Sequence, residues 1–233
     1  MNEANQELKW LFFDMDGTLI DTVPSLYSAY CDVCRSVGKS PTRQEFDPLI
    51  GASVQEIALS LAPSPEMAPS IEFKLAIARK KYLPERARLF PGVQEFLTYS
   101  QERGLHLWLV TSANREIAED LLGHTGIRDH FEGVVTADGL KANKPNPEIY
   151  LKALRLASAN AEQLMVFEDS LQGISAALAA NLSVVSCNTA GQIVDRFKNQ
   201  KRLIAHFDDW HLLKDWFFHQ RKIDANQHKV DAT

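Results

Sequence analysis

The stretch Trp10-Leu11-Phe12-Phe13-Asp14-Met15-Asp16-Gly17-Thr18 is an apolar run that ends abruptly in polar residues. A short, continuous apolar run is typical of a strand buried on both faces of a parallel sheet, and Asp14 would lie at its carboxyl end. Gly17 suits a tight turn of the backbone. Because open α/β sheets bind ligands at the carboxyl ends of their strands, this stretch predicts a functional site beside Asp14.

Downstream of Pro91 the sequence alternates between apolar runs and segments of helical periodicity. Strands separated by helices of this length indicate right-handed βαβ crossovers, so the predicted fold class is α/β with a doubly wound parallel sheet. The further predicted strands are Leu105 to Val110, Gly133 to Thr136, Leu164 to Phe167, Leu182 to Ser186 and, at the edge, Leu203 to Phe207. The predicted helices are Gln94 to Gly104, Arg115 to Gly123, Glu148 to Leu156, Gly173 to Ala180 and Asp209 to Phe218.

Between the first strand and this alternating region, the chain from about Pro24 to Leu83 has a helical period throughout. Leu26, Tyr30 and Val33 are spaced to share one helix face. The Pro-rich segment Pro63 to Pro69 suits a loop between helices. The sequence therefore predicts a helical insertion.

Composition places the chain among ordinary globular proteins. It has 233 residues, 45% hydrophobic and 24% charged, with a formal net charge of -5. This charge argues against nucleic acid as a partner, and no apolar run approaches the length of a membrane span. Residues 1–9 lack the apolar core of a signal peptide, so we expect a cytoplasmic location. Composition leaves the oligomeric state open.

The sequence has three cysteines, which rules out complete pairing and favours reduced thiols. Cys31 and Cys34 form a CxxC, but they lie inside a predicted helix with no second pair of ligands nearby. We therefore expect them to pack in the protein interior rather than to bind zinc.

Polar clusters follow four of the predicted elements: Asp14 to Thr18, Thr111-Ser112, Lys144-Pro145 and Glu168-Asp169. Because the carboxyl ends of parallel strands meet at one edge of a sheet, all four clusters are expected to converge there. The site would then combine several carboxylates with a lysine and hydroxyl groups.

Each cluster offers a role in phosphoryl transfer. Asp14 could act as a nucleophile, and Asp16 could protonate a leaving alkoxide and later activate water. Four carboxylates beside a phosphate dianion repel one another by roughly 4 kcal/mol per pair at about 4 Å and an effective dielectric near 20, so a cation is required. We expect Mg²⁺ ligands among Asp14, Asp16, Glu168 and Asp169, because hard oxygen donors suit this ion.

Positive charge and hydroxyl donors would hold the phosphate. Lys144 is expected to bind it and to pair with Asp14, while Thr111 and Ser112 would donate to its oxygens. Thr18 is expected to order the loop rather than to react.

The run from Asp14 to Asp21, Asp-Met-Asp-Gly-Thr-Leu-Ile-Asp, resembles the first motif of the haloacid dehalogenase superfamily. Thr111, Lys144 with Pro145, and Glu168-Asp169 resemble its second, third and fourth motifs in the same order. The resemblance extends over about Leu11 to Ala190. It implies a Rossmann-like core, Mg²⁺ and aspartyl transfer chemistry.

The helical insertion resembles the small α-helical cap that many members of this superfamily carry over the active site. The expected domains are a core of residues 1–22 and 86–220, a cap of residues 23–85 and a disordered tail of residues 221–233. Arg79, Lys80 and Lys81 are expected to form a solvated helix face. The cap loop from Ile50 to Ser53 is the segment from which we expect substrate contacts.

The resemblance to this superfamily also indicates to which of its branches the chain is most similar. Its carbon–halogen hydrolases lack an acid at the position of Asp16, which argues against dehalogenation. Mutases similar to β-phosphoglucomutase carry basic residues where this chain has Leu26 and Val54, so we expect a phosphatase acting on a small phosphorylated metabolite. Asp21 to Leu26 is similar to the start of the phosphoglycolate phosphatases, whereas Phe167 to Ile174 is similar to sugar-phosphate phosphatases and mutases. A mutase and a non-catalytic binding protein on the same fold are the alternatives.

Overall fold

The computed structural model describes residues 7–49, 54–188 and 191–220. Its centre is a six-stranded sheet in the order β5-β4-β1-β6-β7-β8, with every neighbouring pair parallel. The strands of this sheet are β1 (Trp10–Phe13), β4 (His106–Val110), β5 (Gly133–Val135), β6 (Leu164–Glu168), β7 (Ser183–Cys187) and β8 (Leu203–Phe207). The predicted α/β fold class is confirmed.

In the residues that the structure describes, six core helices follow strands, and four more helices come between β1 and β4 in the chain. The core helices are α5 (Val93–Gln101), α6 (Arg115–Thr125), α7 (Glu148–Leu156), α8 (Leu171–Ala179), α9 (Gly191–Phe197) and α10 (Trp210–Asp215). The inserted helices are α1 (Val23–Ser36), α2 (Arg43–Phe46), α3 (Val54–Leu61) and α4 (Ala68–Arg86).

The central strand β1 contributes to the packing on both faces of the sheet. Successive side chains of a strand point to opposite faces, so Phe12 and Phe13 belong to different hydrophobic clusters. Phe13 stacks on Phe167 with ring centroids 4.7 Å apart, and Trp210 of α10 packs against both rings. Both rings are fully buried, and this packing fixes β1 and β6 directly beneath the edge where their carboxyl ends meet.

The inserted helices have a hydrophobic cluster of their own, which includes Tyr30, Phe46, Ile57 and Leu75. A two-residue antiparallel ribbon, β2 (Ile20–Asp21) with β3 (Arg88–Leu89), joins the insertion to the core. The sequence patterns did not predict this ribbon. We refer to α1–α4 and their connections as the cap.

The cysteines of the CxxC both contribute to the cap cluster. Cys31 and Cys34 are buried with free thiols, as expected for packing residues. The described part of the chain contains no helix that is long and apolar enough to cross a membrane.

Most predicted core elements lie within a few residues of the observed ones, and the differences have local causes. The helix predicted from Gly173 begins at Leu171, because the Ser170 hydroxyl caps it by accepting from the Gly173 amide at 3.0 Å. The helix predicted to reach Gly104 ends at Gln101. Gly104 then takes a left-handed φ of 69° in the turn before β4.

Two further differences lie in the cap and at the end of the chain. Only part of the Pro63 to Pro69 segment is a loop, since α4 begins at Ala68 and Pro69 lies in its first turn. Asp209 caps α10, and the chain then continues as a π-helical turn from Trp216 to Gln220. The predicted tail of residues 221–233 and the cap loop of residues 50–53 lie outside the described residues.

Candidate active site

Asp14 lies at the carboxyl end of β1, where the sequence placed it. Its backbone N–H donates to the Phe167 carbonyl at 3.0 Å, which extends the pairing of β1 with β6 by one residue. Asp14 is only 7% exposed. The carboxylate therefore lies in a largely desolvated position between the ends of β4 and β6.

The turn after Asp14 requires glycine at position 17. Gly17 has a φ of 87°, a left-handed conformation, and a Cβ there would overlap the carboxylate of Asp169. The hydroxyl of Thr18 donates to Oδ1 of Asp169 at 2.9 Å, which agrees with the ordering role expected for Thr18. This turn therefore packs against Asp169, so the first and fourth polar clusters lie next to each other.

Two residues that the sequence patterns did not single out hold this turn from outside. Nδ2 of Asn188 donates to the carbonyl oxygens of Gly17 and Thr18 at 3.0 and 3.1 Å. The indole N–H of Trp210 donates to the Thr18 carbonyl at 3.2 Å. A polar Asn directly after the buried strand β7, at the same edge of the sheet, is the signal that could have identified Asn188.

Lys144 is buried between two carboxylates. Its Nζ lies 2.6 Å from Oδ1 of Asp14, 2.6 Å from Oε1 of Glu168 and 3.0 Å from the Val110 carbonyl. Burial alone would lower the pKa of Lys144, but Asp14 and Glu168 raise it well above its usual value. The side chain is therefore a fixed positive charge beside Asp14, and the predicted pairing of Lys144 with Asp14 is confirmed.

Glu168 is the most heavily hydrogen-bonded of the site carboxylates. Oε1 accepts from Lys144 and, at 3.1 Å, from the Tyr150 hydroxyl. Oε2 accepts from the backbone N–H of Asp169 at 3.0 Å and from both N–H and hydroxyl of Ser170 at 3.1 Å. These donors make Glu168 an anchor for Lys144. Tyr150 and Ser170 were not predicted as part of the site.

Three carboxylates at this edge are close enough to share a cation. One oxygen each from Asp14, Glu168 and Asp169 lies within 4.8 Å of the others. Burial and the neighbouring carboxylates raise the pKa of Asp14 to about 7, against the opposing effect of Lys144, and raise that of Asp169 well above its usual value. Because one ammonium faces three carboxylates, two of them buried and one half-buried, this donor set fits a hard cation such as Mg²⁺.

Asp16 is not part of that cluster, and its carboxylate contacts a residue of the cap. Oδ1 of Asp16 is paired with Nη2 of Arg79, which comes from α4. The expectation that Arg79 belongs to a solvated helix face is wrong, since its side chain is only 20% exposed. It is correct for Lys80 and Lys81, which are 56% and 66% exposed.

Thr111 and Ser112 follow β4 on the other side of Asp14. Thr111 is buried, and its hydroxyl accepts from the Ala113 backbone N–H at 3.1 Å. The Ser112 hydroxyl donates to Oδ1 of Asn143 at 3.1 Å, and the same oxygen accepts from the Lys144 backbone N–H at 3.0 Å. These bonds tie the loop after β4 to the loop that carries Lys144. Binding of phosphate by the two hydroxyls stays a prediction.

Comparison with known proteins agrees with this geometry. The sequence profile of haloacid dehalogenase-like hydrolases matches residues 11–187, which include all four polar clusters. The chain belongs to this family. The match confirms the family that the four motifs indicated.

Three curated relatives carry phosphatase names. The "Phosphorylated carbohydrates phosphatase" of Thermotoga maritima is 34% identical over 74% of this chain and 81% of its own length. The fructose-1-phosphate phosphatase of Escherichia coli is 32% identical over 75% of this chain and 94% of its own. Hexitol phosphatase B of the same species is 32% identical over 73% and 79%. These relatives confirm the predicted enzyme class, phosphatase.

Solved structures share the fold. A haloacid dehalogenase-like hydrolase from Streptococcus pneumoniae superposes with a TM-score of 0.80 at 18% identity, covering 90% of this chain and 98% of that one. β-Phosphoglucomutase from Clostridium difficile gives a TM-score of 0.71 at 22% identity, covering 92% and 96%. At these identities the likeness concerns the fold alone.

Proposed function

We propose that the protein is a Mg²⁺-dependent phosphomonoester hydrolase that acts on a small phosphorylated sugar or polyol through an aspartyl-phosphate on Asp14. The observation that carries the proposal is the buried Lys144 ammonium, held 2.6 Å from both Asp14 and Glu168. It fixes the nucleophile and provides positive charge where a phosphate must dock. The names of the three phosphatase relatives support the sugar-phosphate class.

The first half-reaction transfers the phosphoryl group to the protein. A carboxylate oxygen of Asp14 attacks phosphorus while Lys144, with Thr111 and Ser112, holds the phosphate oxygens. The bond from phosphorus to the ester oxygen breaks, and Asp16 gives its proton to the departing alkoxide. The alcohol therefore leaves with the ester oxygen, and its carbon–oxygen bond is kept.

The second half-reaction restores the enzyme. Asp16, now ionised, takes a proton from water, and the resulting hydroxide attacks the phosphorus of the acyl phosphate. The bond between phosphorus and the Asp14 oxygen breaks, releasing inorganic phosphate. Mg²⁺, held by Asp14 and Asp169 with Asp16 and Glu168 as further proposed ligands, would neutralise the charge that gathers around the phosphate.

Substitution of the nucleophile tests this proposal. Asp14→Asn should abolish hydrolysis of p-nitrophenyl phosphate in Mg²⁺, and the wild type stopped during turnover should carry a phosphoryl adduct visible by intact mass. Asp138→Asn is the matched control, because Asp138 accepts from the Thr136 hydroxyl and the Arg115 N–H at the surface. Wild-type turnover by Asp14→Asn would contradict the proposal, whereas absence of turnover in the wild type would favour the non-catalytic alternative.

Product analysis separates hydrolysis from the mutase alternative. Leu26 and Val54, at the positions where the related mutases carry basic residues, pack against the hydrophobic cluster of the cap. This leaves no extra positive charge at either position to hold a bisphosphate intermediate. Incubation with a hexose 1-phosphate should release inorganic phosphate. Accumulation of the 6-phosphate isomer would establish the mutase instead.

A further inference from the structure

Arg79 extends from the cap into the core because of its place on α4. Leu83 lies one helical turn further along and is buried in the hydrophobic cluster of the core that contains Phe13. Residues four apart share a helix face, so Arg79 lies where this face of α4 passes from the cap, at Leu75, to the core, at Leu83. Ala78, the residue before Arg79, packs inside the cap.

The contact of Arg79 with Asp16 differs from a second ion pair between α4 and the core, that of Lys80 with Glu116. Arg79 and Asp16 are 20% and 24% exposed, whereas Lys80 and its partner Glu116 are 56% and 66% exposed. The first pair is thus enclosed beside the site, and the second lies on the surface.

This pair conflicts with the role proposed for Asp16. Asp16 must contact the ester oxygen in the proposed reaction, whereas its Oδ1 is held by Nη2 of Arg79. The pair must therefore separate during turnover. Separation is feasible because both side chains keep some contact with water, which weakens an ion pair.

Arg79 also has an unused donor. Its Nε is buried and has no hydrogen-bond partner in the described part of the chain. A buried donor without an acceptor is unfavourable, so a ligand that supplies acceptors at this point would gain a compensating interaction. The guanidinium fork can serve two oxygens at once.

We propose that Arg79 determines specificity for the alcohol half of the substrate, exchanging Asp16 for oxygen acceptors carried next to the ester carbon. The proposal rests on the proposed function, since Asp16 marks the leaving-group side only if it protonates the ester oxygen. Vicinal hydroxyls of a polyol or sugar provide such acceptors, and the carboxylate of phosphoglycolate provides the same chemistry. A plain alkyl phosphate provides none.

Two matched substrates isolate this contribution. Glycerol 1-phosphate and n-propyl phosphate have the same carbon chain, but only the first has hydroxyls beside the ester. The wild type should prefer glycerol 1-phosphate in kcat/KM, and Arg79→Gln should reduce that preference about tenfold, the loss expected for hydrogen bonds to a charged donor. Arg79→Lys should retain part of the preference. Lys80→Gln, which removes only the surface ion pair, should retain all of it.

Equal losses for both substrates in Arg79→Gln, or no loss, would overturn the inference, as would a wild type that hydrolyses p-nitrophenyl phosphate without preferring glycerol 1-phosphate. If the wild type hydrolyses none of these esters, the proposed function itself is contradicted, and the inference about Arg79 is contradicted with it. Phosphoglycolate serves as a third substrate, because it carries a carboxylate instead of hydroxyls beside the ester. A larger loss of kcat/KM in Arg79→Gln for phosphoglycolate than for glycerol 1-phosphate would indicate a carboxylate acceptor, and the opposite order would indicate hydroxyls.

Discussion

The side-chain amide of Asn188 lies 3.0 Å from the carbonyl oxygen of Gly17, which joins the end of β7 to the turn that follows Asp14. Asn188 itself has a left-handed φ of 53°, a conformation that Asn tolerates better than most residues. The same amide also reaches the Thr18 carbonyl. The turn that positions Asp16 is therefore held by a residue 171 positions away in the sequence.

Asn188→Gly should loosen this turn. Glycine keeps the left-handed backbone but removes both hydrogen bonds, so we expect kcat to fall about tenfold with a smaller change in KM, and stability to fall by about 1–2 kcal/mol. Steady-state kinetics and urea unfolding measure the two effects. Asn181→Gly is the control, because Asn181 has a similar φ of 59° and is exposed. Equal effects of the two substitutions would contradict a role for the Asn188 side chain.

Lys144→Met should lower both the stability of the protein and its activity. It leaves Asp14 and Glu168 buried without their cation, and breaking a buried pair in this way costs about 3–5 kcal/mol. We expect a lower urea midpoint in the presence of a chelator and activity below about 1% of wild type. Lys152→Met removes a lysine from the same region that donates only to the Asp138 carbonyl, and should change neither quantity much. An unchanged midpoint for Lys144→Met would show that the carboxylates do not depend on it.

The sequence was sufficient to predict the sheet and much of the site. Asp14 and Glu168 were predictable because each ends an apolar strand, and parallel strands present their carboxyl ends at one edge. Lys144 was predicted from its position in the sequence, between the second and fourth motifs. The backbone pairings of β1 with β4 and β6 then bring these residues together with no further information.

Residues that reach the site from distant elements could not be predicted in the same way. Arg79 is one of three consecutive basic residues on a helix, and such a run is usually solvated. Only the contact with Asp16 shows which of the three reaches the site. Tyr150 is likewise an ordinary buried aromatic until Glu168 is placed 3.1 Å from its hydroxyl.

Mg²⁺ should stabilise the folded protein. One carboxylate oxygen each from Asp14, Glu168 and Asp169 lies within 4.8 Å of the others, so a divalent cation that binds only the folded state should raise the melting temperature. At about one hundred times its dissociation constant, a ligand adds about 2.7 kcal/mol. Asp169→Asn should show a much smaller Mg²⁺-dependent shift in a thermal melt, and Asp138→Asn should show the wild-type shift. A full shift in Asp169→Asn would place the ion elsewhere.

Acidification should destabilise the fold through His130, which lies apart from the active site. Its Nδ1 lies 2.6 Å from Oε1 of Gln101 and its Nε2 lies 2.7 Å from Nε2 of Gln94, so the neutral ring donates to one and accepts from the other. Burial lowers the pKa of His130 below its usual value, against the opposing effect of Asp129. The protonated ring would direct an N–H at the Gln94 amide donor.

The sign of the effect follows from this lowered pKa. The unfolded chain binds a proton to His130 at a higher pH than the folded chain does, so this contribution to stability is complete above about pH 6.5 and is lost as the pH falls through the folded pKa. Urea midpoints at about pH 7.5 and about pH 5.5 should therefore differ less in His130→Gln than in the wild type. His124→Gln, at an exposed position on α6, should keep the wild-type difference. If His130→Gln keeps it as well, the acid sensitivity comes from other groups.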